Sequence, residues 1–173
     1  MHMLHLLRHA KSSWKDDVSD RERRLTGRGR EAARRVSRHL PAAVGELDLV
    51  LCSSARRTRE TLDLVLVGFA VRPRSLFEDE LYTSDRDGVM DRLRRIEEQY
   101  RNVLLIGHNP GLHELAVALA DTQSHRFSAL ASGKFPTAAR ASFQVPEPWS
   151  MLGRSQSELV DYVLAGSLPD EER

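Results

Sequence analysis

Apolar residues in this chain fall into short runs broken by charge, and the runs alternate between strand-like and helix-like spacing. Met3 to Leu7 is a mostly apolar run that stops at Arg8-His9, with Ala10-Lys11-Ser12-Ser13 as a polar break; this predicts a buried strand feeding a loop. Thr26 then precedes Ala32, Val36 and Leu40 at i, i+4, i+8, which predicts a helix capped by Thr26 and stopped by Pro41. Leu47 to Cys52 reads as a second buried strand. Ser53 and Ser54 are cap candidates for a helix whose Leu62, Val65, Leu66 and Phe69 form one stripe, and a short strand is predicted around Val71 to Leu76.

The same alternation continues. Ser84 and Asp87 have the spacing of a capping box ahead of Val89, Leu93, Ile96 and Tyr100. Val103 to Ile106 is the third clear strand and ends close to a histidine, after which Asn109 and Pro110 suit the N-cap and first position of a helix carrying Leu112, Leu115, Ala116 and Leu119. Ala141, Phe143 and Val145 alternate as a strand does, whereas Leu159, Tyr162 and Val163 fit either a last helix or a final strand. Strands alternating with helices predict an α/β fold with helices about a mostly parallel sheet, an arrangement that gathers ligand groups at the carboxyl ends of strands.

Length and composition narrow this. A chain of 173 residues, 40% hydrophobic and 29% charged, has enough apolar surface for one core, so one domain over residues 1–168 is expected, with 169–173 as a frayed tail. No run approaches a membrane span and the N-terminal residues lack the layout of a secretory signal, which makes a cytoplasmic protein the expectation. The single cysteine, Cys52, excludes an internal disulfide and reads as a small buried residue at a strand end. A net charge of +1 argues against bulk binding to nucleic acid. Eight arginines between Arg21 and Arg38 read first as a solvated helix face, and second as a means of steering an anionic substrate.

Three strand ends present functional groups: Arg8 and His9, the segment Ser53 to Thr61, and Gly107-His108-Asn109. Arginines and histidines converging on one point repel one another and make a poor structural motif, but they make a cradle for a dianion such as a phosphoryl group. Leu6-Leu7-Arg8-His9-Ala10-Lys11-Ser12 resembles the R-H-G motif of the histidine phosphatase superfamily, with alanine in place of the usual glycine. Ser53-Ser54-Ala55-Arg56-Arg57-Thr58-Arg59-Glu60-Thr61 is similar to its second motif, in which an arginine four residues before a threonine holds the phosphoryl group; that register selects Arg57. Leu105-Ile106-Gly107-His108-Asn109-Pro110-Gly111-Leu112 is similar to the third motif in the form of the SixA-type phosphohistidine phosphatase branch, which Lys11-Ser12-Ser13-Trp14 and Lys134-Phe135-Pro136-Thr137 also resemble.

The resemblance implies a three-layer α/β/α, phosphoglycerate mutase-like fold. It implies His9 as nucleophile, Arg8 and Arg57 as phosphate clamps and His108 as a further donor, with Ser12 and Asn109 as additional substrate-binding candidates and no metal or cofactor. Glu80, in Glu78-Asp79-Glu80-Leu81-Tyr82, is the candidate proton donor, set against the reading that these carboxylates only balance nearby arginines. The implied substrate is a phosphorylated protein, phosphohistidine above all, because the interval from Glu80 to Gly107 leaves no room for a lid; a phosphomonoesterase or mutase with the same catalytic core, acting on a small phosphorylated metabolite, remains the alternative. Two other readings carry less weight. A metal site among His2, His5, His9, His108 and His113 has poor spacing, and a nucleic-acid face along Arg21 to Arg38 lacks interleaved aromatics.

Overall fold

The computed structural model describes residues 1–170. Six strands form one sheet: β1 (His2–Arg8), β2 (Leu49–Ser53), β3 (Arg74–Glu78), β4 (Asn102–Gly107), β5 (Arg140–Val145) and β6 (Glu158–Val163), in the order β3-β2-β4-β1-β5-β6. β3, β2, β4 and β1 run parallel, whereas β5 lies antiparallel to β1 and β6 antiparallel to β5. The helices are α1 (Gly27–Val44), α2 (Arg56–Leu66), α3 (Asp79–Thr83), α4 (Arg86–Arg94), α5 (Gly111–Leu119) and α6 (Phe127–Ser132).

Alternate residues of a strand point to opposite faces, and here both faces are covered. Leu49 and Leu51 of β2 join Leu93 of α4 and Leu112 and Leu115 of α5 in one core; Val50 and Cys52 join Val36 and Leu40 of α1 and Leu62 and Val65 of α2 in the other. This is the expected three-layer architecture, and it explains why the parallel strands read as unbroken apolar runs. Cys52 is fully buried, and burial pushes its thiol up to about 12, so it behaves as a packing residue.

Several local expectations shift. Thr26 does cap α1, its Oγ1 accepting from Gly29 N at 3.0 Å, but Pro41 lies inside the helix rather than ending it. Proline has no N–H to offer Ser37; Gly68 instead packs so closely on the Ser37 carbonyl that a Cβ there would sit 2.0 Å from the oxygen. α2 begins after Ala55 with no side-chain cap, because Ser53 and Ser54 hydrogen-bond elsewhere. Asp85, not Ser84, caps α4 by accepting from Gly88 N. β3 starts later than expected, at Arg74, and Leu159 to Val163 lie in a strand. Pro169 O accepts from His39 Nε2 and Asp170 pairs with Arg35, so the first two residues of the expected tail lie along α1; Glu171 to Arg173 are outside the described residues. Among the described residues no helix is long and apolar enough to cross a membrane.

Candidate functional site

The parallel register brings the three motif segments together. Arg8 pairs with Gly107 at the ends of β1 and β4, and Cys52 pairs with Ile106 at the ends of β2 and β4. His9, His108 and the residues opening α2 therefore leave the sheet side by side. Ala10 stands where a glycine is usual, but its backbone is not in the left-handed region, so the methyl group is accommodated. Thr61 ties α2 to this loop: its Oγ1 accepts from Ala10 N at 3.0 Å and donates to Arg57 O at 2.7 Å. The threonine four residues beyond Arg57 thus fixes the arginine's turn of helix against the loop that carries His9.

His9 is 6% exposed and its Nδ1 lies 2.7 Å from the Ala10 carbonyl oxygen. A carbonyl can only accept, so Nδ1 carries the proton and Nε2 is the free lone pair. Burial, with the charges of His108, Arg57 and Arg8 adding to it, lowers the His9 pKa to about 3, and the ring is neutral at pH 7. His108 lies with its ring centroid 5.2 Å from that of His9. Its Nε2 is 2.7 Å from Ser53 Oγ, which also accepts from Ala55 N. With the Ser53 hydroxyl donating to Nε2, the His108 proton lies on Nδ1. Burial and the Arg57 charge lower the His108 pKa to about 4.

Three buried donors in this cluster have no hydrogen-bond partner among the described residues: Arg8 Nε, Arg57 Nε and His108 Nδ1. Buried donors left unpaired are costly, and an anion is the kind of group that would pair with them. Burial and the nearby Arg57 charge also lower the pKa of Arg8, a sign of two guanidinium groups crowded around one locus.

Two sets of residues hold the arginines. Asp20 receives Arg57 Nη1 on its carbonyl at 2.8 Å and Arg57 Nη2 on its carboxylate at 3.1 Å; it also accepts from Arg23 Nε at 3.0 Å and Tyr82 OH at 2.6 Å. These bonds, led by that of Tyr82, lower the Asp20 pKa to about 2. On the other side, Phe135 O accepts from Arg8 Nη1 at 3.2 Å and from Asn109 Nδ2 at 2.9 Å, while Asn109 Nδ2 also reaches Lys134 O. Phe135 has φ of 48°, a conformation disfavoured for a bulky side chain. Its fully buried ring is stacked between His113 and Tyr162, which fixes it there. Ala138 N donates to Arg8 O and His9 O, and Ala139 O accepts from Arg8 N, so one segment braces the whole Arg8-His9 turn.

The other expected residues fall as follows. Ser12 Oγ accepts from Arg23 Nη1 at 2.8 Å, at the edge of the cluster. Asn109 is neither the helix cap nor a free donor: both bonds of its amide nitrogen go to the 134–135 backbone, and α5 starts after Pro110 without a side-chain cap. Glu80 is not brought to the histidines; its carboxylate meets Arg92 and Arg95. The remaining histidines separate. His5 contacts Ser142 and Asn102, and His113 contacts Leu130 O. In the sequence Ser53 reads only as a cap candidate and Tyr82 only as part of an acidic segment, and nothing singles out Asp20 and Arg23 for the site, because a lone polar residue carries no periodic or motif signal for contacts made across the fold.

Comparison with known proteins gives the family and the fold. Residues 4–79 match the model of the histidine phosphatase superfamily (branch 1). An uncharacterised protein of Mycobacterium leprae is 33% identical over 161 residues, covering 90% of this chain and 98% of that protein. Among solved structures, a protein put forward as the phosphohistidine phosphatase SixA of Nakamurella multipartitia superposes with a TM-score of 0.82 at 26% identity, covering 94% of this chain and 95% of that one. The protein histidine phosphatase SixA complexed with tungstate shares the fold, with a TM-score of 0.78 at 24% identity over 96% of this chain and 99% of that one. The chain belongs to the histidine phosphatase superfamily. Within it, the chain is a phosphatase, a hydrolase of the SixA-like type.

Proposed function

We propose that this phosphatase removes phosphoryl groups from phosphohistidine in a protein, through a phosphoenzyme formed on His9. The observation that supports it most is the trio of unpaired buried donors, Arg8 Nε, Arg57 Nε and His108 Nδ1, beside a neutral imidazole whose Nε2 lone pair is free.

Phosphoryl transfer needs an in-line nucleophile and fixed positive charge on the equatorial oxygens of a loose transition state. His9 Nε2 forms the bond to phosphorus as the bond to the leaving group breaks, and Arg8, Arg57 and His108 hold the three oxygens. Water then attacks phosphorus, the P–N bond to His9 breaks, orthophosphate departs and the Nε2 lone pair is restored. The clamps act here without a metal or other cofactor.

The leaving group favours a phosphoramidate. Asp20, the carboxylate that meets Arg57, is held ionised, and Glu80 is engaged by Arg92 and Arg95, so neither is poised to protonate an alkoxide. An imidazole leaving from protonated phosphohistidine departs as a neutral ring and needs no such acid. α4 packs against α5 and residues 149–151 rather than forming a separate cap, and the reading takes the cluster to be open to a protein side chain. The reading treats residues 1–168 as one catalytic unit acting in the cytoplasm, with no nucleic-acid partner. It is tested by comparing kcat/KM for a histidine-phosphorylated protein with values for sugar phosphates and p-nitrophenyl phosphate; equal or better turnover of the sugar phosphates would defeat it.

A further inference from the structure

Trp14 is 77% exposed, an unusual position for the residue type that gains most from burial. It is not a free-swinging side chain. The Arg23 guanidinium lies over its ring, 3.5 Å from the centroid, and Arg23 is itself buried and held by Ser12 Oγ, Ser13 O and Asp20. Asp20 in turn holds Arg57. One arginine and one aspartate therefore separate the indole from the phosphate clamp.

The backbone beneath is fixed too. Ser12 bridges to Leu25, Ser13 N donates to Arg24 O, and Thr26 N donates to Lys11 O. Gly29 lets the start of α1 close on this loop, since a Cβ there would lie 2.1 Å from Lys11 O. The result is a rigid ledge beside the site, with a shallow cavity of about 370 Å³ lined in part by Lys11, Trp14, Lys15 and Arg24. Val18, 47% exposed, adds apolar surface on the same loop.

Charge indicates what the ledge meets. Arg24 is paired with Asp16, whereas Lys11 and Lys15, both exposed, have no carboxylate at ion-pair distance among the described residues. A preorganised aromatic flanked by two lysines, against the single exposed carboxylate of Asp17 on the same loop, leaves a net positive ledge of the kind that meets an acidic protein face. A small phosphate ester held by the clamps would gain nothing from it.

We propose that Trp14, with Lys11 and Lys15, forms the docking ledge for the phosphorylated protein substrate, and that the substrate's surface around its phosphorylated side chain is acidic. This rests on the protein-phosphatase reading above. The test uses an acidic and a basic carrier protein, each phosphorylated on histidine with phosphoramidate, and p-nitrophenyl phosphate. Trp14→Ala is expected to lower kcat/KM on the acidic phosphoprotein about tenfold, mainly through KM, while p-nitrophenyl phosphate turnover stays within about twofold. Trp14→Phe restores most of the loss, and Lys11→Glu with Lys15→Glu reverses the preference between the two carriers. Equal losses on the protein and the aryl phosphate, or unchanged protein turnover in Trp14→Ala, would overturn the ledge alone. Wild-type enzyme that cleaves the aryl phosphate but neither phosphoprotein would overturn the ledge together with the reading beneath it.

Discussion

The Nδ1 atom of His9 lies 2.7 Å from the carbonyl oxygen of Ala10, a contact that only a protonated Nδ1 makes favourably. The bond fixes the tautomer and burial fixes the charge, so the ring stays neutral far below the ordinary histidine range. Ring ¹⁵N shifts followed against pH should show both rings uncharged down to about pH 5, with His108 titrating near 4, His9 below it and neither near 6.5.

Acid stability follows from the same shifts. His9 is lowered to about 3, and His5 and His108 to about 4, from an ordinary 6.5. Below that ordinary value the unfolded chain takes up protons that the folded chain refuses, so the unfolded state gains. The contribution of these histidines is complete above about pH 6.5 and is lost progressively as pH falls toward 4. Asp20, lowered from 3.8 to about 2, acts only below this window. Urea midpoints measured from pH 8 to 4 should be level above 6.5 and fall below it.

Ser53 sets which nitrogen of His108 faces the cluster. Ser53→Ala removes the hydroxyl that donates to Nε2 and frees the ring to present either tautomer. Loss of one well-aligned donor costs about a hundred- to a thousandfold in kcat, and a mispopulated donor should cost less, about tenfold. Steady-state kinetics on p-nitrophenyl phosphate check this, with an unchanged melting temperature separating it from a folding defect.

Asn109 and Phe135 meet at one carbonyl, and that carbonyl holds Arg8. Asn109→Ala should therefore weaken vanadate binding and lower kcat/KM about tenfold by letting the Phe135 carbonyl drift. In an Arg8→Ala background the same change should have little further effect, because the two act through one guanidinium. Strict additivity in this double-mutant cycle would contradict the brace.

Much of this was legible in the sequence, and the reason is physical. Met3 to Leu7, Leu47 to Cys52 and Val103 to Ile106 read as strands because a sheet covered on both faces demands continuous apolar runs. Their ends marked the site because parallel strands deliver their carboxyl termini to one edge. What stayed hidden depends on contacts distant in sequence. Pro41 reads as a helix stop, yet the helix runs on for another turn to Val44 and ends at Gly45, whose φ of 72° suits glycine. Asn109 reads as a cap, and only the return of Phe135 from a segment 26 residues away claims its amide. Glu80 stands in an acidic run that could supply a proton donor, yet α4 and the residue after it bring Arg92 and Arg95 to it instead. Asp20 sits in a charged loop with nothing local to mark it, and it becomes significant only when Arg57 arrives from α2.

The glutamate gives a plain test of that last contrast. Glu80→Gln should leave kcat on p-nitrophenyl phosphate and on a phosphohistidine protein within about threefold, whereas a true general acid contributes about a hundredfold or more. A large loss confined to substrates with poor leaving groups would restore Glu80 to the chemistry.

The most direct test is rapid quench of the enzyme with ³²P-labelled substrate, followed by alkaline digestion and separation of phosphohistidine isomers. The account predicts an acid-labile, alkali-stable phosphoenzyme carrying phosphate on Nε2 of His9, absent from His9→Ala. Label on Nδ1, label persisting in His9→Ala, or turnover by His9→Ala at the wild-type rate would contradict it.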